Sequence, residues 1–345
     1  MKGSGEYFSN EFLNQKPLPY SFKMITKSHH AESFRLVPAT STPVSPEKVA
    51  ALLASEWELF TKNTKGSLAE SARSMKSLPL GVTSSFQHWD PYPISIVSAQ
   101  GAWMTDVDGR QLLDLSMGFG AMLAGHLNPA VVEEVKASLD TGMLFVTPSP
   151  ISTDAAERIC RRFGIDQVRF TNSGTESTMY AVRVARSATG KRDIVKVEGG
   201  YHGSYDPFVV SSKPKLESAG DPEFPTAVVD ENLVAGNVHV VPYNNPESLE
   251  QIFAKHASTI ACFIVEPVLE NIGIVLPDAG YLERVRELCD QYGIVLIFDE
   301  VKTGLTAGHQ GAAQRLGVKP DLITLAKSIG GGLTLAAFGG KQKYM

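Results

Sequence analysis

Apolar and polar positions fall into three regimes along the 345 residues. Residues 1–44 mix Pro, Ser, Thr, Asn and His (KPLPYSF, PATSTPVSP) without a sustained period, which predicts a flexible N-terminal arm. A helical period begins at Ser45-Pro46-Glu47. Serine suits the N-cap, proline the first helical position, and Val49, Leu52, Leu53, Trp57 and Phe60 share one stripe that needs a partner surface. In ISIVSAQGAWMTDVDGRQLLDLS, two partly alternating apolar runs flank Asp108-Gly109, the signal of a β-hairpin. Asp106-x-Asp108-Gly109 opens like a calcium loop but lacks the downstream ligands, so a turn is expected. Residues 45–127 thus read as an N-terminal helix and β-hairpin segment.

From residue 128 helices and apolar strands alternate, so 128–345 is expected to form one large α/β domain. Asn128-Pro129 opens a helix that closes at Gly142. Strands are predicted at 167–171, 193–199, 238–243, 260–266, 293–300, 321–326 and 335–340, with helices at 175–188, 246–256, 279–292 and 310–316. The run Ile294-Val295-Leu296-Ile297-Phe298 cannot alternate between core and solvent. It predicts a mostly parallel sheet with helices on both faces. No internal repeat of fixed period is present.

Composition narrows the functional classes. With 43% apolar and 20% charged residues, the chain can bury a large core, which excludes a disordered or collagen-like protein. A net charge of −5 without a basic run gives no footprint for nucleic acid or an anionic membrane surface. No run of 18 apolar residues and no secretory head are present, so no membrane association is expected. Cys160, Cys262 and Cys289 are odd in number and set in apolar or helical stretches, which fits reduced thiols and a cytoplasmic location. The eight histidines lack metal-ligand spacing, so no metal site is expected.

In parallel sheets ligands bind beyond the carboxyl ends of the strands. After 167–171 comes Asn172-Ser173-Gly174-Thr175-Glu176, which could cradle a single phosphate and reads equally as a serine-capped helix start. After 193–198 comes Gly199-Gly200-Tyr201-His202-Gly203, a close-approach loop with an aromatic ring beside an imidazole, or a plain surface turn. After 260–265 stand Glu266-Pro267 and, five residues past the glutamate, Asn271; a polar loop is the alternative. Asp299-Glu300 ends the continuous apolar strand, where an aspartate can equally cap a helix or pair with arginine. Lys327 stands between DLITLA and Ser328-Ile329-Gly330-Gly331-Gly332. Small, apolar flanks favour a shielded amine of the kind a Schiff-base lysine needs, although most turn lysines are simply solvated. Phosphate cradle, stacking ring, buried carboxylate and shielded lysine are together the parts of a pyridoxal phosphate site.

NSGTESTMYAVRVAR, GGYHG, VEPVLENIGIVLP, GIVLIFDEVKTG and TLAKSIGGG occur in the order found in the class III pyridoxal-phosphate aminotransferases, which the sequence resembles from about residue 70 to 345. Within that family it looks most like glutamate-1-semialdehyde 2,1-aminomutase and its relatives. The resemblance implies the α/β fold of fold-type I pyridoxal-phosphate transferases: a mixed, mostly parallel seven-stranded sheet flanked by helices, in a homodimer. It also implies that the cofactor is pyridoxal 5'-phosphate and the partners a small-molecule amino donor and a carbonyl acceptor.

By motif, Lys327 would bond the cofactor and move the proton, and Asp299 would pair with its ring nitrogen. Ser173, Gly174 and Thr175 would hold the phosphate. Tyr201 and Val301 would cover the ring faces, Asn271 would sit near the ring hydroxyl, and His202 beside the ring. Family members continue into a small C-terminal domain, whereas this sequence stops at Met345, so that domain and the phosphate-contacting threonine of the neighbouring subunit are expected to be missing. The segment that often carries a carboxylate-binding arginine reads Leu80-Gly81-Val82-Thr83-Ser84-Ser85-Phe86. The expected activity is transamination; an aminomutase and a catalytically incomplete binding remnant are the alternatives.

Overall fold

The computed structural model describes residues 45–142, 144–214, 220–221, 225, 227–228 and 232–345; the arm expected over 1–44 lies outside the described residues. The chain forms two compact units, one ending at Val97 and including Thr105–Arg110, the other comprising Ser98–Met104 and Gln111–Met345. This division falls earlier in the chain than residue 128.

In the first unit α1 (Pro46–Asn63) is capped as its sequence predicts, with Ser45 Oγ accepting the Lys48 N–H at 3.3 Å. Its stripe stays open: Val49, Leu52, Leu53 and Trp57 are exposed. α2 (Lys65–Ser74) begins on the Asp108 carboxylate, which accepts the Gly66 N–H at 2.6 Å and the Ser67 N–H at 3.1 Å. Asp106 accepts from Arg110 Nε at 2.8 Å. Both aspartates of the calcium-like pattern are therefore occupied by the turn and a helix start, and no metal-ligand cluster exists among the described residues.

Three short strands, β1 (Ile96–Gln100), β2 (Trp103–Asp106) and β3 (Gln111–Leu113), lie in that order in one sheet. The single hairpin expected from Asp108-Gly109 is corrected to a meander with a second reversal. Gly101 makes it by adopting φ +57°, a left-handed conformation that glycine takes without a Cβ penalty.

The second unit holds helices α3 (Pro129–Leu139), α4 (Pro150–Phe163), α5 (Gly174–Thr189), α6 (Asp206–Val209), α7 (Pro246–His256), α8 (Tyr281–Tyr292) and α9 (Gly311–Leu316). They accompany β4 (Gln167–Thr171), β5 (Asp193–Val197), β6 (Val238–Val241), β7 (Ile260–Val265), β8 (Val295–Asp299), β9 (Leu322–Leu325) and β10 (Ala336–Gly340). All seven strands lie within the predicted windows, and the sheet order is β4-β10-β9-β8-β7-β5-β6. β10 is antiparallel to both neighbours, and the remaining pairings are parallel. α4 escaped the sequence reading although Pro150 opens it and Gly164, at φ +62°, closes it.

β5, β7, β8, β9 and β10 are buried at every position, because each face meets a separate apolar layer. Val195, Val197, Phe263, Val265, Leu296 and Phe298 pack with Leu249, Phe253, Leu282 and Leu288 of α7 and α8. Ile194, Cys262, Ile264, Val295 and Ile297 pack with Ala181, Val182 and Ala185 of α5. The cysteines are unpaired, and burial pushes the Cys262 thiol up to about 12, which makes it an inert core side chain. No helix among the described residues is long and apolar enough to cross a membrane.

Candidate active site

The carboxyl ends of β4, β8 and β9 open onto a cavity of about 230 Å³ in the second unit. Its wall brings together Ser173, Gly174, Thr175, Tyr201, His202, Asp299, Val301 and Lys327, with Glu266, Lys302, Thr178 and Leu335 among the other lining groups. A wider hollow of about 750 Å³, lined by Arg186, Lys191, Arg192 and Asn237, collects the N-terminal ends of β5 and β6, the opposite end from where parallel sheets bind ligands.

At one end of the cavity the 16-residue α5 points its N-terminus inward. Ser173 Oγ accepts the Glu176 N–H at 3.2 Å, and the Glu176 carboxylate reaches back to the Asn172 N–H at 2.8 Å, a variant of the capping box. Capping and anion binding coexist, because Ser173 accepts here and its hydroxyl proton remains a donor. Close packing keeps the cradle small. A Cβ on Gly174 would lie 3.2 Å from Val301, and one on Gly203, at φ +106°, would collide with Thr175. Ser204 N–H also donates to Thr175 Oγ1 at 3.2 Å, which ties the two loops together.

Asp299 ends β8 and is buried. Its Oδ1 accepts from the Val301 N–H at 3.0 Å and the Thr324 hydroxyl at 3.1 Å, and its Oδ2 lies 2.8 Å from His202 Nδ1. His202 is itself buried, and its backbone carbonyl accepts from the Thr178 hydroxyl at 2.7 Å. The imidazole is thus a support for the carboxylate as well as part of the cavity wall.

Lys327 follows β9 with φ +49°, an unfavourable backbone region for a side chain with a Cβ. Burial holds its ammonium below the ordinary lysine range; Asp299 opposes that shift and Lys302 adds to it. The amine is therefore closer to its neutral, nucleophilic form than a solvated lysine.

Asn271 does not line the cavity. Its amide donates to the Gly199 carbonyl at 3.0 Å and to the Ser212 carbonyl at 3.3 Å, which fastens the loop carrying Tyr201. The group facing the cavity from that strand end is Glu266, whose Oε1 accepts the Tyr201 N–H at 3.0 Å. Glu266 was visible in sequence as the residue after an apolar run. Lys302, Thr178 and Thr324 gave no comparable signal, since their roles depend on neighbours distant in the chain.

Residues 85–345 match the family described as Aminotransferase class-III. The chain belongs to the class III aminotransferase family. A glutamate-1-semialdehyde 2,1-aminomutase from Methanocorpusculum labreanum is 43% identical over 269 residues, covering 78% of this chain and 64% of that protein. The crystal structure of an omega-transaminase from Sphaerobacter thermophilus matches with TM-score 0.78 and 35% identity over 81% of this chain and 64% of its own. A transaminase with PLP bound matches with TM-score 0.75 and 35% identity over 82% of this chain and 66% of its own. The class III chain described here thus spans about two thirds of the length of these relatives. The mostly parallel seven-stranded sheet expected from the resemblance is the fold of these fold-type I aminotransferases.

Proposed function

We propose that this class III chain binds pyridoxal 5'-phosphate in the cavity and transfers an amino group between an amine or amino acid and a carbonyl acceptor. The observation that carries the reading is Lys327, a cavity lysine kept toward its neutral form by burial and facing the field of the buried Asp299 carboxylate. The donor set fits the cofactor: a helix N-terminus with Ser173, Gly174 and Thr175 for a dianion, a fixed carboxylate for a protonated ring nitrogen, and an amine for a carbonyl carbon.

When bound, pyridoxal phosphate supplies a ring that accepts the electron pair released on breaking a bond beside the substrate nitrogen. The protein positions that chemistry. The N–H groups opening α5 would hold the phosphate, with helix-terminus attraction worth about 0.3–1 kcal/mol besides the hydrogen bonds. Asp299, fixed by three donors, would keep a proton on the ring nitrogen. Val301 and Tyr201 would cover the ring and exclude water. Lys327 Nζ would take a proton from the substrate carbon and return it elsewhere. Asn271, on the hydrogen bonds described above, would act by holding the Tyr201 loop.

A 2,1-aminomutase is the second reading, favoured by the 43% identity to an enzyme of that name. Formation of product without an external amino acceptor separates the two. We further propose a homodimer, supported by the exposed apolar run Leu144, Phe145 and Val146 in the second unit. The decisive experiment adds pyridoxal phosphate to the purified chain, reduces with borohydride and maps the label by mass spectrometry. Label on Lys327 is expected. Label on another lysine, or on none, overturns the reading.

A further inference from the structure

Lys302 stands directly after Val301 and brings a second ammonium into the cavity that contains Lys327. Among the described residues its one ion-pair contact is Glu266 Oε2 at 3.8 Å, beyond hydrogen-bonding reach; Glu270 lies within the field of its charge, and its Nζ donates no hydrogen bond. Glu266 is satisfied without it: Oε1 accepts the Tyr201 N–H at 3.0 Å and Oε2 accepts the Glu270 N–H at 3.3 Å. The three Lys302 donors are therefore uncommitted, and the lysine can turn toward another anion without stranding a buried carboxylate.

Among the described residues no arginine lines the cavity, and Lys302 and Lys327 are the two lysines that do. Lys327 is committed to covalent work on the reading above, which leaves Lys302 to meet negative charge on a substrate. We propose that Lys302 is the specificity-determining residue of this cavity, receiving the carboxylate of an amino-acid substrate in exchange for its long contact with Glu266. This inference rests on the cofactor role of Lys327. A simple amine would leave the Lys302–Glu266 contact undisturbed, so the site prefers an amine that carries a carboxylate. The same ammonium disfavours a second charge on Lys327, which favours the neutral amine that can take a proton from the substrate carbon.

The test titrates the full chain, loaded with pyridoxal phosphate, with β-alanine and with ethylamine, which lacks only the carboxylate. Apparent affinities are read from the visible absorption of the cofactor. The parent chain is expected to prefer β-alanine, and Lys302→Gln to lower that preference about tenfold, equivalent to about 1.4 kcal/mol. Lys302→Arg, which keeps the charge, should retain most of it, and Lys302→Met is the second neutral variant if the glutamine one does not fold. An unchanged preference in the neutral variants, or none in the parent, overturns the assignment. Borohydride trapping separates the two levels: labelled Lys327 with an unchanged preference removes Lys302 alone, whereas unlabelled Lys327 removes both proposals.

Discussion

His202 Nδ1 lies 2.8 Å from Oδ2 of Asp299, and both side chains are buried. The imidazole therefore fixes the carboxylate that ends β8, while Thr324 and the Val301 amide occupy the other oxygen. His202→Ala would leave one oxygen of a buried carboxylate without a donor, at a cost of about 1–3 kcal/mol. Urea unfolding of the cofactor-free chain measures this. An unchanged unfolding free energy would show that the contact is dispensable.

Lys327 should react with dilute amine-directed reagents at a lower pH than exposed lysines, because burial disfavours its charged form. Asp299 opposes that shift, so Asp299→Asn should move the Lys327 profile further down in pH. Peptide mapping of the cofactor-free chain across a pH series reads both effects. A Lys327 profile that coincides with exposed lysines contradicts the geometry.

Lys196 is fully buried in β5, donates to the Val210 carbonyl at 2.7 Å, and is pushed down to about 7 by burial. An unfolded lysine titrates near about 10.4. Between these values the unfolded chain binds the additional proton, so this group adds stability as pH rises through the window; below about 7 its burial cost is fully present. Lys196→Met should remove that slope and also strand the Val210 carbonyl, a pH-independent loss of about 1–3 kcal/mol. Urea unfolding of parent and variant across the window tests the sign: the parent must gain on the variant as pH rises.

Gly203→Ala places a Cβ against Thr175 at a residue with φ +106°. Strain and collision together should cost more than about 1 kcal/mol and displace a hydroxyl of the proposed phosphate cradle. A lower thermal midpoint and weaker retention of pyridoxal phosphate are expected. Retention equal to the parent chain would argue that Thr175 does not touch the cofactor.

Lys302 marks where sequence reading stopped: Glu266 was legible as the residue after an apolar run, but its pairing with Lys302 was not. The sheet was legible because several of its seven runs are apolar on both faces and have no polar side to present to solvent, and the cavity because Thr171, Asp299 and Ala326 end or follow strand runs. Asn271 looked suited to the cavity by position alone, yet its amide is held by two loop carbonyls from segments 72 and 59 residues away. α4 was legible from Pro150 and Gly164 but stood outside the strand-centred reading.

The sequence alone determined the alternating architecture, the capped start of α5 and the position of Lys327, since each depends on periodicity or on residues within one turn. Only the tertiary structure decided which polar groups share a cavity. Asp299 meets His202 across 97 residues and Thr324 across 25, while Lys302 comes to Glu266 through the pairing of β7 with β8. Such contacts follow from strand order and register, which neighbouring residues along the chain do not encode.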